Sequence, residues 1–243
     1  MKRKIKYRKT MFPKKPSYSN IMYYNSLTKL LMIIIAMIIC FIIFHYITFN
    51  HNKVKTKTVT KYKDKNVVSE NVVFLGDSIT KIYDLEKYYP DNHVVNSGIS
   101  GNVTIDILDD MNERVYKYNP SKVFLLIGTN QIEKDDIKDI ANDISEICDL
   151  IYENRPLAKV YVESIYPINS NVGKVTGERD NEKISEVNEL IESNSSKHHY
   201  GYINLYDDLL DNEGNLNSDY TYDGLHINDK GFEKITEILK KYI

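Results

Sequence analysis

NVVFLGDSIT, residues 71–80, is the stretch that decides the fold. Residues 72–75 form a short apolar run rich in β-forming side chains, and Gly76 ends it. Asp77 and Ser78 are residue types that cap helices, so the order predicts a strand, a sharp turn and a helix. Ligands of open α/β sheets bind beyond the carboxyl ends of strands, where the first N–H groups of a helix favour negative charge. Ser78 is therefore either a simple helix cap or a reactive serine at a ligand site.

Strand and helix signals alternate along the rest of residues 70–243. Strands are predicted at residues 72–75, 93–96, 123–127, 159–165 and 202–205. Helices are predicted at residues 104–118, 137–152, 182–193 and 229–242, where apolar residues recur every three or four positions. This alternation indicates right-handed βαβ units. We expect one domain over residues 70–243, a three-layer α/β/α sandwich around a central parallel sheet.

The first 69 residues differ sharply in character from that domain. Residues 1–29 carry nine Lys or Arg and no acid, which predicts a basic tail on the cytoplasmic side of a membrane. Residues 30–49 have no formal charge and as a helix would span about 30 Å, which predicts one transmembrane helix acting as an uncleaved signal anchor. Residues 50–69 contain six lysines and read as an extended stalk. Lysines on both sides weaken the charge rule for orientation, but we expect the tail inside and the domain outside the cell.

Charge and cysteine content exclude several classes of function. Residues 1–69 hold 15 bases and one acid, whereas residues 70–243 hold 17 bases and 33 acids. A domain this acidic is a poor candidate for binding nucleic acid. Cys40 and Cys148 lie in an apolar segment and in a predicted helix, a context that suggests neither a disulfide nor a metal site. We expect no cofactor, and His198 and His199 are expected to be exposed rather than metal ligands.

Three predicted strands end in motifs that bear polar or glycine residues. They are Gly76-Asp77-Ser78-Ile79-Thr80, Asn96-Ser97-Gly98-Ile99-Ser100-Gly101 and Gly128-Thr129-Asn130, and Asp223-Gly224-Leu225-His226 follows near the C-terminus. This set, in this order, resembles the SGNH/GDSL hydrolase family, with its GDSIT, NxGISG, GTN and DGLH pattern. The resemblance covers residues 71–243 and implies a flavodoxin-like sandwich and an esterase activity.

The resemblance also implies a role for each motif residue. Ser78 would be the nucleophile, His226 the general base and Asp223 the carboxylate that orients the imidazole. The backbone N–H groups of Ser78 and Gly98 and the side-chain amide of Asn130 would form the oxyanion hole. The chemistry agrees, because a serine hydroxyl needs a base to become nucleophilic and an oriented imidazole can take its proton near neutral pH. The family often has Asp after the GTN motif, and Gln131 in this chain puts the support of that loop in doubt.

The expected function is a membrane-anchored serine esterase that removes acyl groups, above all acetyl, from a cell-surface carbohydrate. An O-acetyltransferase would use the same acyl-enzyme, and a lysophospholipase or thioesterase the same triad. A non-catalytic binding module is the remaining alternative, but it would not require all five motif residues. The segments expected around Ser78 are polar, which favours a short acyl group. Residues 169–180 form a polar loop that either borders the site or lies on the surface.

Overall fold

Five parallel strands form the centre of the domain, in the order β2-β1-β3-β4-β5. The structure is a computed structural model that describes residues 31, 32, 34, 35, 37, 38, 69–173 and 176–243. The strands are β1 (Val72–Gly76), β2 (Val94–Gly98), β3 (Lys122–Leu126), β4 (Lys159–Glu163) and β5 (Tyr200–Ile203). All five lie within about three residues of their predicted positions, and the predicted parallel α/β sheet is confirmed.

Eight helices in the described domain cover the sheet. They are α1 (Ser78–Ile82), α2 (Leu85–Tyr88), α3 (Thr104–Asp109), α4 (Met111–Arg114), α5 (Ile137–Asn154), α6 (Asn181–Asn194), α7 (Tyr206–Leu209) and α8 (Asp229–Leu239). The single helix predicted over residues 104–118 is wrong, because the chain forms α3, α4 and a 3-10 turn there. One long helix and several short helical turns show the same spacing of apolar residues, so the sequence did not distinguish them. In the broken arrangement the buried Arg114 guanidinium bonds to Gly76 O at 2.9 Å and to Ser97 O at 2.6 Å.

The two faces of the sheet bury separate apolar cores. Val73 and Leu75 of β1 point to one core, shared with α3, α4, α5 and α6, whereas Val72 and Phe74 point to the other, shared with α1, α2, α7 and α8. Successive side chains of a strand point to opposite faces, so a strand buried on both faces reads as one continuous apolar run. The run in residues 72–75 is therefore the sequence signature of a central strand.

The strand order places a ligand site beside β1. The chain leaves β1 for β2 on one side and returns to β3 on the other, so the connections after β1 and β3 diverge. Crevices at such a switch point are where open α/β sheets bind ligands. Gly76-Asp77-Ser78 follows β1 directly, and Gly128-Thr129-Asn130 follows β3. Both motifs therefore meet at the same edge of the sheet.

The transmembrane helix predicted for residues 30–49 lies largely outside the described residues. Its six described positions, residues 31, 32, 34, 35, 37 and 38, are helical and exposed. The predicted tail and all but the last residue of the predicted stalk also lie outside the described part. Within that part no helix is both long enough and apolar enough to cross a membrane.

A buried polar cluster lies at the end of β4. Tyr166 Oη donates to Glu163 Oε2 at 2.5 Å, and the hydroxyl of Tyr83 contacts Tyr89 Oη at 3.0 Å and Thr236 Oγ1 at 2.6 Å. Glu163 is buried, with no cation paired to it among the described ion pairs. Burial raises the pKa of Glu163 to about 7, although the hydrogen bond from Tyr166 opposes that shift. The folded protein therefore holds this carboxyl protonated in mildly acidic solution.

Glu163→Gln is expected to flatten the dependence of stability on pH. The pKa of Glu163 is higher in the folded protein than its ordinary value of 4.5, so its contribution is fully present below about pH 4.5 and is lost as pH rises to about 7. The difference amounts to about 3 kcal/mol of unfolding free energy above that range. Urea unfolding at pH 4 and pH 8 should show Glu163→Gln gaining on wild type only at pH 8. The exposed Glu233→Gln is the control, and equal gains in both variants would contradict the assignment.

Candidate active site

Ser78 is the first residue of α1, directly after β1. Asp77 caps that helix, because its Oδ1 accepts a hydrogen bond from Ile79 N at 2.9 Å. Asp77 is therefore the helix cap, and the Ser78 side chain is not needed for that role. Ser78 Oγ lies 3.1 Å from His226 Nε2.

Asp223 orients the His226 ring. Its Oδ2 lies 2.8 Å from His226 Nδ1, while Oδ1 accepts from the backbone N–H groups of Leu225 and His226 at 3.0 and 2.8 Å. A carboxylate can only accept, so Nδ1 carries the proton and Nε2 faces Ser78 as an acceptor. Partial burial would raise the pKa of Asp223, but the hydrogen bonds from the His226 ring and from the two backbone groups outweigh it and leave that pKa below its usual range. The three side chains thus form a continuous hydrogen-bonded chain.

Asn130 enters this region from the loop after β3. Its Nδ2 donates to Asn102 O at 3.0 Å, and its Oδ1 accepts from Arg179 Nη2 at 3.2 Å. An amide Nδ2 carries two hydrogens, so the bond to Asn102 leaves one for another acceptor. The structure therefore brings Asn130 to the same edge of the sheet as Ser78 with a donor to spare.

The sequence motif assigns the backbone N–H of Gly98 to the oxyanion hole, but in the structure that N–H already bonds to a side chain. Its N–H donates to Asn96 Oδ1 at 2.9 Å. A Cβ at this position would lie 2.2 Å from Lys81 N, so the glycine is required where β2 packs against α1. Three residues later, Gly101 has a φ of 79° and open space where a Cβ would be. Its N–H donates no hydrogen bond to any residue in the described part of the chain.

Gln131 supports the loop after β3, although the family often has Asp at this position. It is buried, its Oε1 accepts from Thr104 N at 2.9 Å, and its Nε2 donates to Thr104 Oγ1 and Asp135 Oδ2 at 3.1 and 2.9 Å. Thr104 is the first residue of α3, so Gln131 satisfies a free N–H at the start of that helix. The neutral side chain ties the loop after β3 to the loop after β2, using both its donor and its acceptor.

The described parts of the polar loop, residues 169–173 and 176–180, border the site. Asn169 N donates to Gly224 O at 2.8 Å, and a Cβ on Gly173 would lie 2.4 Å from Asp223 O, so the loop packs against the segment that carries Asp223. Arg179 lies at the far end of the loop and bonds to Thr129 O at 2.7 Å as well as to Asn130. The sequence offered no signal for Arg179, one of two bases within a polar loop.

Asp77 is a buried carboxyl group next to Ser78 in the chain. Burial raises its pKa to about 6, while the Ile79 N–H and the charges of His226 and Arg179 lower it. Its Oδ2 has no hydrogen-bond partner among the described residues. Asp77 therefore precedes Ser78 in the chain but does not join the hydrogen bonds that connect Ser78, His226 and Asp223.

Other residues singled out in the sequence lie apart from this site. His198 Nδ1 is 2.8 Å from Asp149 Oδ2, and the His199 ring stacks on Tyr152 with centroids 3.9 Å apart. His198 is thus partly buried and paired rather than exposed, whereas His199 is exposed. Across the described residues, no three His, Cys, Asp or Glu side chains are grouped so that they could hold a metal ion.

The loops around Ser78 are less uniformly polar than the sequence suggested. Ile99, Val172 and Tyr222 are exposed on them, and Tyr222, next to Asp223, is 71% exposed. They are single apolar side chains on three separate loops. Each of them provides a small, isolated apolar surface, and together they do not form a continuous apolar groove.

Comparisons with known proteins show the family and the fold of this chain. A profile described as GDSL-like Lipase/Acylhydrolase family matches residues 74–234. A Streptococcus pneumonia structure described as a platelet activating factor is 30% identical, with a TM-score of 0.68, and the match covers 81% of this chain and 97% of that one. A GDSL-like lipase from Bacteroides thetaiotaomicron shares the fold at 22% identity and a TM-score of 0.63, covering 79% and 96% of the two chains. An acetyl xylan esterase shares it at 21% identity and a TM-score of 0.60, covering 71% and 99%.

One curated relative is an N-acylneuraminate cytidylyltransferase from Escherichia coli O18:K1:H7, 30% identical over 197 residues. The match covers 78% of this chain but only 44% of that protein, so the chain spans less than half of the length of this relative. The named activity of a protein more than twice as long as the match does not transfer by that similarity alone. The family profile, by contrast, spans both ends of the site, from β1 to α8. The chain belongs to the GDSL-like lipase/acylhydrolase family and is a serine hydrolase that acts on ester bonds.

Proposed function

We propose that this chain removes O-acetyl groups from a carbohydrate through Ser78, His226 and Asp223. Ser78 Oγ attacks the ester carbonyl while His226 Nε2 takes its proton, and the same proton then passes to the leaving sugar hydroxyl. Water, deprotonated by His226, hydrolyses the acetyl-enzyme and restores Ser78. The observation that carries the proposal is the pair of contacts at 3.1 Å from Ser78 to His226 and 2.8 Å from His226 to Asp223. They have the lengths that proton transfer and imidazole orientation need.

In this mechanism the tetrahedral oxygen is stabilised by neutral donors. The Ser78 N–H and the second Nδ2 hydrogen of Asn130 serve this purpose. Gly98 would be the third donor by its sequence motif, but Asn96 Oδ1 occupies its N–H, and the unoccupied N–H of Gly101 is the alternative. Asn130 is held to Asn102 O, the residue after Gly101, which supports this second assignment.

The choice of acetyl and of a sugar rests on the surroundings of Ser78. The bordering loops are polar apart from single exposed side chains, which leaves little surface on which to bury a long acyl chain. Tyr222 would present a flat face of the kind on which sugar rings stack. The fold accommodates such a reaction, since an acetyl xylan esterase shares it. The cell-surface location is proposed from the uncharged residues 30–49 and the basic tail before them.

Acetyl esters are expected to be hydrolysed faster than butyryl esters, and octanoyl esters very slowly. Each buried methylene would contribute about 0.8 kcal/mol, so an acyl tunnel would make kcat/KM rise with chain length. The measurement is a series of p-nitrophenyl esters with the purified protein, followed by acetate release from O-acetylated glycans. Faster turnover of octanoyl than acetyl would instead indicate a lysophospholipase or thioesterase. Turnover of the acetyl ester only when a sugar acceptor is supplied, with the acetyl group transferred to that sugar, would indicate an O-acetyltransferase.

A further inference from the structure

Arg179 is bonded on all sides within the loops that surround Asn130. Its Nη2 donates to Asn130 Oδ1 at 3.2 Å, its Nε to Thr129 O at 2.7 Å and its Nη1 to Thr176 O at 2.9 Å. The side chain is 11% exposed and also pairs with Glu133 at 3.1 Å. We infer that Arg179 is a positioning residue that fixes the side-chain amide of Asn130 so that its N–H faces the developing oxyanion, an inference that rests on the proposed function.

The argument begins with the two ends of the amide. A guanidinium can only donate, so the atom of Asn130 that faces Arg179 must be Oδ1. The opposite atom, Nδ2, then donates to Asn102 O and keeps its second hydrogen for the oxyanion. A half-turn of the amide would put Oδ1 towards the negative charge of the tetrahedral oxygen and convert a stabilising donor into a repulsive acceptor. Arg179 disfavours that rotamer, because its N–H would then meet the amide's N–H groups.

Charge strengthens the effect. A hydrogen bond from a cation polarises its acceptor more than one from a neutral donor, and it draws electron density from the amide oxygen. The remaining Nδ2 hydrogen thereby becomes a better donor. Donors that are already oriented before the reaction stabilise the transition state without a reorganisation cost.

The position of Arg179 is itself fixed by the same loops. Glu133 Oε1 accepts from Arg179 and also from Glu178 N at 3.0 Å, so one carboxylate aligns the side chain and the backbone beside it. Gly177 has a φ of 61°, and a Cβ there would lie 2.1 Å from Glu133 Oε1. The glycine therefore permits the close approach that holds the guanidinium against Asn130.

The test compares Arg179→Met, Asn130→Ala and the double variant of the full chain. Arg179→Met is expected to lower kcat for an activated acetyl ester by about 10- to 10²-fold with little change in KM, since a donor is misplaced only in the transition state. Asn130→Ala should lower kcat by roughly 10²- to 10³-fold. In the Asn130→Ala background the Arg179 change should cost less than about twofold more, because its effect passes through the missing amide.

Lys183→Met is the matched control for loop support. Lys183 Nζ donates to Ile132 O and Asp135 O of the same loop but does not touch Asn130. It should lower the melting temperature without a selective loss of kcat. If Arg179→Met does not fold, Arg179→Lys keeps the charge and enters the same cycle, with a smaller loss that is again absent beside Asn130→Ala.

Losses of kcat that multiply in the double variant, or an Arg179 variant that loses only thermal stability, would overturn the inference and leave the proposed function intact. A normal kcat for Asn130→Ala would also overturn the inference, by removing Asn130 from the oxyanion hole, whereas the proposed function itself fails only if Ser78→Ala keeps the wild-type rate or acetylated glycans release no acetate. The two failures are therefore distinguishable.

Discussion

Ser78→Ala is expected to lower kcat/KM for an activated acetyl ester by about 10⁴- to 10⁶-fold, because it removes the only atom that forms the acyl-enzyme. His226→Ala should lose as much, since Ser78 Oγ lies 3.1 Å from the nitrogen that must take its proton. The two losses should not multiply, as each variant alone abolishes the same step. Steady-state rates of p-nitrophenyl acetate hydrolysis, read against the uncatalysed reaction, measure the effect.

The control for that experiment is Ser196→Ala. Ser196 is exposed and lies just before β5, at the edge of the sheet opposite the site. It should keep the wild-type rate. Hydrolysis by Ser78→Ala at the wild-type rate would falsify the assignment of the nucleophile and return Ser78 to the role of a helix-terminal residue.

Asp223→Asn is expected to lower kcat/KM by about 10⁴-fold while leaving the fold intact. The Asn oxygen can still accept from the backbone N–H groups of Leu225 and His226, which now bond to Oδ1. Its amide nitrogen would face His226 Nδ1, however, and a donor there forces the ring into the tautomer that carries its proton on Nε2. That nitrogen then meets Ser78 as a donor and can no longer act as the base.

The comparison for this variant is Asp219→Asn. Asp219 is an exposed carboxylate shortly before Asp223, paired with Lys230 at 2.5 Å, and its loss should leave the rate nearly unchanged. Melting temperatures of both variants separate a fault in chemistry from a fault in folding. An Asp223→Asn enzyme within about threefold of wild type would mean that the carboxylate does not set the tautomer.

The fold was predictable because its central strands are buried on both faces. Residues 72–75 and 123–127 are continuous apolar runs that end in glycine, a pattern that a two-sided strand requires and a surface element does not. The break of residues 104–118 into α3, α4 and a 3-10 turn was not predictable. Short helical turns and one long helix share the same apolar spacing, and Arg114 decides between them through bonds to strands β1 and β2.

The candidate site was predictable only as far as its motifs. Ser78, Asp223 and His226 are joined by hydrogen bonds although Ser78 and His226 are 148 positions apart, and Asn130 follows β3 at the same edge of the sheet. The roles of Gln131 and Arg179, which hold the loops of the site, were not predictable because they depend on contacts between distant segments. Gln131 bonds to Thr104, 27 positions away, and Arg179 bonds to Asn130, 49 positions away. Gly98 shows the converse, because its motif suggested a catalytic donor where the structure has a packing requirement. The anchor and the orientation of residues 1–69 remain predictions.

The parallel direction of the strands also separates the start of the domain from Ser78. Ser69 and the start of β1 lie at one edge of the sheet and Ser78 at the other, separated by five strand residues or roughly 16 Å. Changes made to the chain before Ser69 therefore act at the edge of the sheet that does not carry Ser78. A tag or a truncation there is expected to leave the rate of ester hydrolysis by the domain unchanged.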